Sequence, residues 1–241
     1  MRLLITRPQP DADELAAELE RRGHRCLVAP LMTIVPTVSD LPLGGVQALL
    51  LTSRNGVRAL AATSARRDVP VLAVGPGTAA AAEDAGFTVE AGAGDVSALG
   101  SLVRAALKPG AGSLLWITGR HVRGDLRADL RAAGYDVARH VLYDAQTVSA
   151  LPPSCVAALQ ANEIDGALFF SPRTAQTFVR MMALAGLEPA AKSVTAYCLS
   201  PAVAAALASL PWRGMEIAGR TDRAALLDLV GRAGVTVGSG A

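Results

Sequence analysis

Short apolar runs alternate along the chain with stretches whose apolar positions recur every three or four residues, the two periods of strand and amphipathic helix. RLLIT (2–6) reads as a strand. DADELAAELERRG (11–23) reads as a helix, with acids in its first turn and Gly23 after its last. RCLVAPLMTIV (25–35) reads as one strand. VQALLLTS (46–53) is a continuous apolar strand of the kind buried on both faces, followed by the helix RNGVRALAATSA (54–65). Two further strand–helix pairs follow, VPVLAVG (69–75) with PGTAAAAEDAG (76–86) and FTVEA (87–91) with VSALGSLVRAAL (96–107). The turn-rich KPGAG (108–112) then interrupts, as a junction would. After it come strand SLLWIT (113–118), helix DLRADLRAAG (125–134) and strand YDVARHVLYDAQTV (135–148). The series closes with GALFFS (166–171) and PRTAQTFVRMMALAG (172–186), SVTAYCLS (193–200) and PAVAAALASL (201–210), MEIAG (215–219) and RAALLDLVGRAG (223–234). Strands separated by helices of this length imply βαβ units and parallel sheets, an α/β fold.

The second series repeats the first. Thr6 lies over Thr118, Ser53 over Ser171, Pro76 over Pro201 and Gly92 over Gly219, each within a longer stretch of matched strand and helix. The offset grows in one order, from 112 at Thr6/Thr118 to 127 at Gly92/Gly219, as a duplication with small insertions would leave it. The expected molecule is therefore two similar halves whose loops face a shared cleft.

Composition narrows the chemistry. The 241 residues are 51% hydrophobic, which suits an Ala-rich soluble α/β protein. The longest uncharged stretch, Ser193 to Trp212, contains Pro201 and Pro211, which argues against a bilayer span. Met1 runs straight into a strand with no signal-like segment, so a cytoplasmic protein is expected. Cys26, Cys155 and Cys198 are far apart, as are His24, His121 and His140, and neither set has metal-ligand or disulfide spacing. A net charge of +2 gives no argument for nucleic acid. Only two of the 23 cationic residues are lysines; Arg suits bidentate capture of carboxylates, although a coding bias produces the same composition.

Ligands of open parallel sheets bind at the carboxyl ends of the strands. Seven loops occupy such places: Thr6–Pro8, Thr52–Asn55, Gly75–Thr78, Thr118–Arg123, Ser171–Thr174, Ser200–Ala202 and Ala218–Thr221. They are rich in Gly, Ser, Thr and Arg, and helix-start amides there make an anion cradle. Each Ser or Thr is also an ordinary helix cap. GPGTAA (75–80) fits a dinucleotide pattern, with Glu90 closing the following strand, but Pro76 stiffens the turn and the acid comes early. An NAD(P)-dependent oxidoreductase is the alternative it leaves. No nucleophile–base motif is present, which points to a protein that shapes a polyanion more than attacks it.

The stretches LLITRP, LLTSRNGV, AVGPGTAAAAEDAGF, ITGRHVRGDLRADLRAAGYDV with VLY, and LFFSPRTAQTF together resemble the uroporphyrinogen-III synthase family in content, order and spacing over nearly the whole chain. The resemblance implies two flavodoxin-like parallel-sheet domains joined by a two-stranded linker, with residues 1–36 and 147–241 forming one domain and 37–146 the other. PLMTIV and VLYDAQTV would be the linker strands. It implies a cofactor-free, monomeric lyase that closes hydroxymethylbilane, a linear tetrapyrrole with eight carboxylates, into uroporphyrinogen III with its last ring inverted. Tyr143 matches the family's linker tyrosine, a candidate donor to the leaving hydroxyl. The substrate-binding positions expected are Thr6, Arg7, Ser53, Arg54, Asn55, Gly75, Gly77, Thr78, Gly119, Arg123, Ser171, Ser200 and Gly219. Ala202 and Val203 stand where the family commonly has Thr, so that junction has only backbone amides to offer. A tetrapyrrole-binding sensor of the same shape is a further alternative.

Overall fold

The computed structural model describes residues 1–37, 40–92, 94–122 and 124–235. The chain divides into two compact units, Met1–Thr33 with Gln146–Ala241, and Ile34–Ala145. In chain order the first elements are strand β1 (Arg2–Ile5), helix α1 (Asp11–Arg21), β2 (Arg25–Val28) and β3 (Met32–Pro36). The second unit continues with β4 (Val46–Leu51), α2 (Arg54–Thr63), β5 (Val71–Ala73), α3 (Pro76–Asp84), β6 (Val89–Ala91), α4 (Val96–Ala106), β7 (Ser113–Gly119), α5 (Leu126–Ala132) and β8 (Val137–Thr147). The chain then returns to the first unit with α6 (Pro153–Gln160), β9 (Gly166–Phe169), α7 (Pro172–Ala185), a 3-10 helix (Glu188–Ser193), β10 (Thr195–Cys198), α8 (Pro201–Leu207), β11 (Gly214–Ile217) and α9 (Arg223–Val235).

Each unit is built on a parallel sheet. The first has the order β2-β1-β9-β10-β11 and the second β8-β7-β4-β5-β6, with β3 added outside β8. Counted from β1 and from β7 respectively, both follow the 2-1-3-4-5 order of flavodoxin-like sheets. Strands matched in the sequence repeat, such as β4 with β9 and β7 with β1, occupy corresponding places. β3 runs against β8: Thr37 N donates to Leu142 O (2.9 Å) and Val148 N to Leu31 O (3.1 Å).

Alternation along the strands divides each core between two faces. In the second unit Leu49, Leu51 and Ile117 pack with Val57 of α2 and Ala82 of α3, while Ala48, Leu50 and Trp116 pack with Leu99 of α4 and Leu130 of α5. In the first unit Leu3, Ile5 and Leu168 meet α1 and α9, and Leu4, Phe169 and Cys198 meet α6 to α8. Strands buried on both sides need the apolar runs that β4 and β7 show. Among the described residues no helix is long and apolar enough to cross a membrane.

Three readings of the sequence change. RCLVAPLMTIV is two strands, because Pro30 has no N–H for a ladder and the chain leaves the first sheet there. KPGAG is the loop between α4 and β7 inside the second unit, not a boundary. Helix α6 and the 3-10 helix went unread: each is short and starts beside a proline, and proline tolerated at a helix's first turn looks from sequence like a breaker.

Candidate active site

At the carboxyl edge of the second sheet, where β4 and β7 end and the β7–β8 ladder stops, Ser53, Gly119 and Tyr143 meet. Tyr143 of β8 is half-buried, and its ring lies on Gly119, the last residue of β7. A Cβ at position 119 would sit 2.6 Å from Tyr143 Cε2 and 2.7 Å from Cζ, so only glycine permits the approach. The phenol crosses β7 and places its oxygen 2.9 Å from Ser53 Oγ at the end of β4. Ser53 is the N-cap of α2 and accepts from Gly56 N at 3.0 Å. Gly56 is itself confined, since a Cβ there would meet Leu51 Cδ2 at 3.3 Å.

Pairing across β7 and β8 is irregular at this point. Thr118 faces Val141, but Gly119 faces Tyr143, with the register shifted between Thr118 and Gly119. Arg120 N donates to Tyr143 O at 2.9 Å beyond the shift, and Arg120 Nε reaches Asp144 Oδ2 at 3.2 Å. Asp144 Oδ1 is buried without a hydrogen-bond partner among the described residues, with His121 Nε2 3.9 Å away.

The other positions expected in this unit vary in what they offer. Arg54 and Asn55 open α2 half-buried, and Asn55 Oδ1 accepts from Arg58 Nη1 at 3.0 Å. Gly75 caps α3 at the end of β5, and a Cβ on it would lie 2.8 Å from Gly94 Cα. Its bareness therefore admits the protein's own loop, which weakens the dinucleotide reading of GPGTAA. Gly77 has open space where a Cβ would be, and Thr78 is buried. Arg123 lies outside the described residues.

The corresponding edge of the first unit holds the remaining positions. Thr6 is fully buried and donates its hydroxyl to Leu168 O at 2.8 Å, joining β1 to β9, so that group is engaged within the sheet. The Arg7 guanidinium pairs with the buried Asp11 carboxylate at 2.6 Å and lies 4.4 Å over the Phe170 ring. Ser171 caps α7, accepting from Thr174 N at 3.1 Å, with its oxygen 2.9 Å from Thr174 Oγ1. Ser200 occupies the cap position of α8 but its side chain makes no capping bond; the Val203 and Ala204 amides donate to its backbone oxygen at 3.0 and 3.2 Å. Gly219 is exposed at the end of β11, beside a surface pocket lined by Arg220 and Asp228. Among the described residues no group of three His, Cys, Asp or Glu could hold a metal ion.

Sequence reasoning did not single out Asp144, Gly56 or Arg139. The first two follow or precede recognised positions by one to three residues, and Arg139 sits in an apolar strand with no motif around it.

Comparison with known proteins agrees with this architecture. No curated protein sequence matches the chain. The crystal structure of uroporphyrinogen-III synthetase from Helicobacter pylori superposes with a TM-score of 0.65 at 20% identity, covering 95% of this chain and 98% of that one. A mutant uroporphyrinogen III synthase from Thermus thermophilus gives 0.55 at 20% identity, covering 98% and 99%. At such identity the likeness speaks for the fold. The family model for uroporphyrinogen-III synthase HemD matches residues 13–228, nearly the whole length, and the chain belongs to the uroporphyrinogen-III synthase family, cyclising enzymes of tetrapyrrole biosynthesis.

Proposed function

We propose that this chain closes hydroxymethylbilane to uroporphyrinogen III, and that the chemistry is centred on Tyr143. The bilane's terminal hydroxyl must leave as water. Its C–O bond breaks as the electron pair of the adjacent pyrrole nitrogen fills the vacated carbon, and the departing oxygen needs a proton. The Tyr143 phenol, held on Gly119, is the donor placed for that role. Ser53 Oγ already accepts from Gly56 N, so its own proton can point to the phenol oxygen and leave the phenol's proton for the substrate. The terminal pyrrole then attacks through its substituted carbon to give a spiro intermediate. Its rearrangement inverts the ring, and the proton lost on rearomatisation restores the phenol.

The rest of the task is conformational, since the free bilane closes unaided to the uninverted isomer. For the eight carboxylates the second unit offers helix-start amides at Ser53 and Gly75, and the first unit offers those at Ser171 and the oriented Arg7 guanidinium. The protein is read as a cytoplasmic monomer acting without a cofactor.

The observation that carries the proposal is the phenol oxygen set 2.9 Å from Ser53 Oγ across a glycine whose three nearest Cβ neighbours are all atoms of the Tyr143 ring and hydroxyl. Incubation with enzymatically generated bilane, followed by separation of the product isomers, tests it. Uroporphyrinogen III above the spontaneous background is expected. Only the uninverted isomer, at the uncatalysed rate, would leave a tetrapyrrole-binding sensor instead of an enzyme.

A further inference from the structure

The register shift between Thr118 and Gly119 decides where the phenol of Tyr143 lies. Continued without it, the ladder would set Leu142 opposite Gly119, and successive residues of a strand point to opposite faces. Leu142 is instead buried in the core with Leu49, Leu51 and Ile117, and Tyr143 arrives opposite the one residue that can take a ring against its Cα. A shift of this kind interrupts the ladder and leaves backbone groups to find other partners.

Arg139 supplies them. It starts from the part of β8 that faces Trp116, with its guanidinium carbon 5.9 Å from that ring's centroid, and reaches forward along the end of β7. Its Nε donates to Thr118 Oγ1 at 3.0 Å, and its Nη2 donates to Gly119 O at 3.0 Å and to Arg120 O at 2.7 Å. Three acceptors on three successive residues, on both sides of the shift, are thus fixed by one planar fork. A lysine ammonium, a single point on a flexible stem, has no matching geometry.

We propose that Arg139 is a positioning residue for the reaction: it locks the β7–β8 register shift and so sets the Tyr143 hydroxyl against Gly119 and Ser53, without itself touching substrate. The consequence for turnover rests on the role of Tyr143 proposed above; the consequence for phenol position does not.

Labelling the tyrosine ζ-carbons with carbon-13 tests the position directly, because the chain has three tyrosines, Tyr135, Tyr143 and Tyr197. The resonance absent from Tyr143→Phe identifies Tyr143. In Arg139→Gln that resonance is expected to move while those of Tyr135 and Tyr197 stay. Arg139→Lys, which keeps the charge and loses the fork, should move it in the same direction and serves if the Gln variant does not fold. An unmoved Tyr143 resonance in the folded variant overturns the proposal.

Kinetics supply the second arm. Arg139→Gln should lower kcat by about tenfold with KM nearly constant, and the loss should vanish in a Tyr143→Phe background, since residues acting as a unit are not additive. The same further loss in both backgrounds would show Arg139 acting elsewhere and overturn the proposal for the reaction. Wild-type turnover in Tyr143→Phe alone would instead remove the catalytic role of Tyr143, and the resonance shift would still decide whether Arg139 places the ring.

Discussion

The Tyr143 hydroxyl stands 2.9 Å from Ser53 Oγ although the two side chains belong to strands separated by a third. The span is possible because the intervening strand ends in Gly119, over which the ring lies flat enough that a methyl group would overlap it. The ends of β4 and β7 and the middle of β8 therefore act as one corner. At that corner the cap of α2 brings the positive end of a helix next to the phenol oxygen, a field that favours charge building on it as its proton is donated.

Tyr143→Phe removes the donor and little else. The ring still packs on Gly119, and Ser53 keeps its bond from Gly56 N. Turnover should fall about 100-fold, the lower end for loss of a positioned proton donor, with the melting temperature nearly unchanged. Rates and product isomers measured on generated bilane check this, and turnover within twofold of the unsubstituted protein would reduce Tyr143 to packing.

Much of this was legible in the sequence, and the limits have physical causes. Strand and helix identity followed from apolar period, since β4 and β7 must be apolar on both faces and α1 and α2 on one. Ser53 and Gly119 were visible because loop ends of parallel sheets carry small residues. What they touch was not visible, because it depends on a register shift that no local pattern encodes. Arg139 was missed for the same reason. Thr6 misled in the opposite way: its hydroxyl looks like a ligand group at a strand end, yet it ties β1 to β9 inside the sheet.

Two glycines of the same turn should behave oppositely. Alanine at Gly75 would drive a Cβ to 2.8 Å from Gly94 Cα, backbone against backbone, and should destabilise the protein by about 1–3 kcal/mol, as overpacking does. Alanine at Gly77, in the first turn of α3 with nothing within 4 Å, should stabilise it by about 0.5–1 kcal/mol. Since the fold does not need a bare residue there, Gly77→Ala is expected to raise KM for the bilane while raising the melting temperature. An unchanged KM would take Gly77 out of the binding site.

The cysteines should prove chemically silent. Burial pushes the thiols of Cys155 and Cys198 up to about 11, and burial, aided by Glu20, does the same to Cys26. Near pH 8 each then carries about 100-fold less thiolate than an unperturbed thiol, and the thiolate is the reactive form. Native protein should resist iodoacetamide and keep its turnover, whereas protein unfolded in guanidinium should label at all three positions. Rapid inactivation of the native protein would point to a thiol in the reaction.

The two capping serines separate the work of holding a helix from the work of holding a phenol. Ser53 and Ser171 make the same bond, each accepting from the amide three residues on, at 3.0 and 3.1 Å. Replacing either by alanine should cost about 1 kcal/mol of stability through the lost cap. Only Ser53 also meets Tyr143, whereas Ser171 meets Thr174 of its own helix. Ser53→Ala should therefore lower kcat by about tenfold, as loss of one hydrogen bond worth about 1.4 kcal/mol would. Ser171→Ala should leave kcat close to its starting value and act, if at all, on KM. Equal kcat losses in the two variants, with equal shifts in melting temperature, would mean that the caps matter only for folding and that the bond from Ser53 does nothing for the phenol.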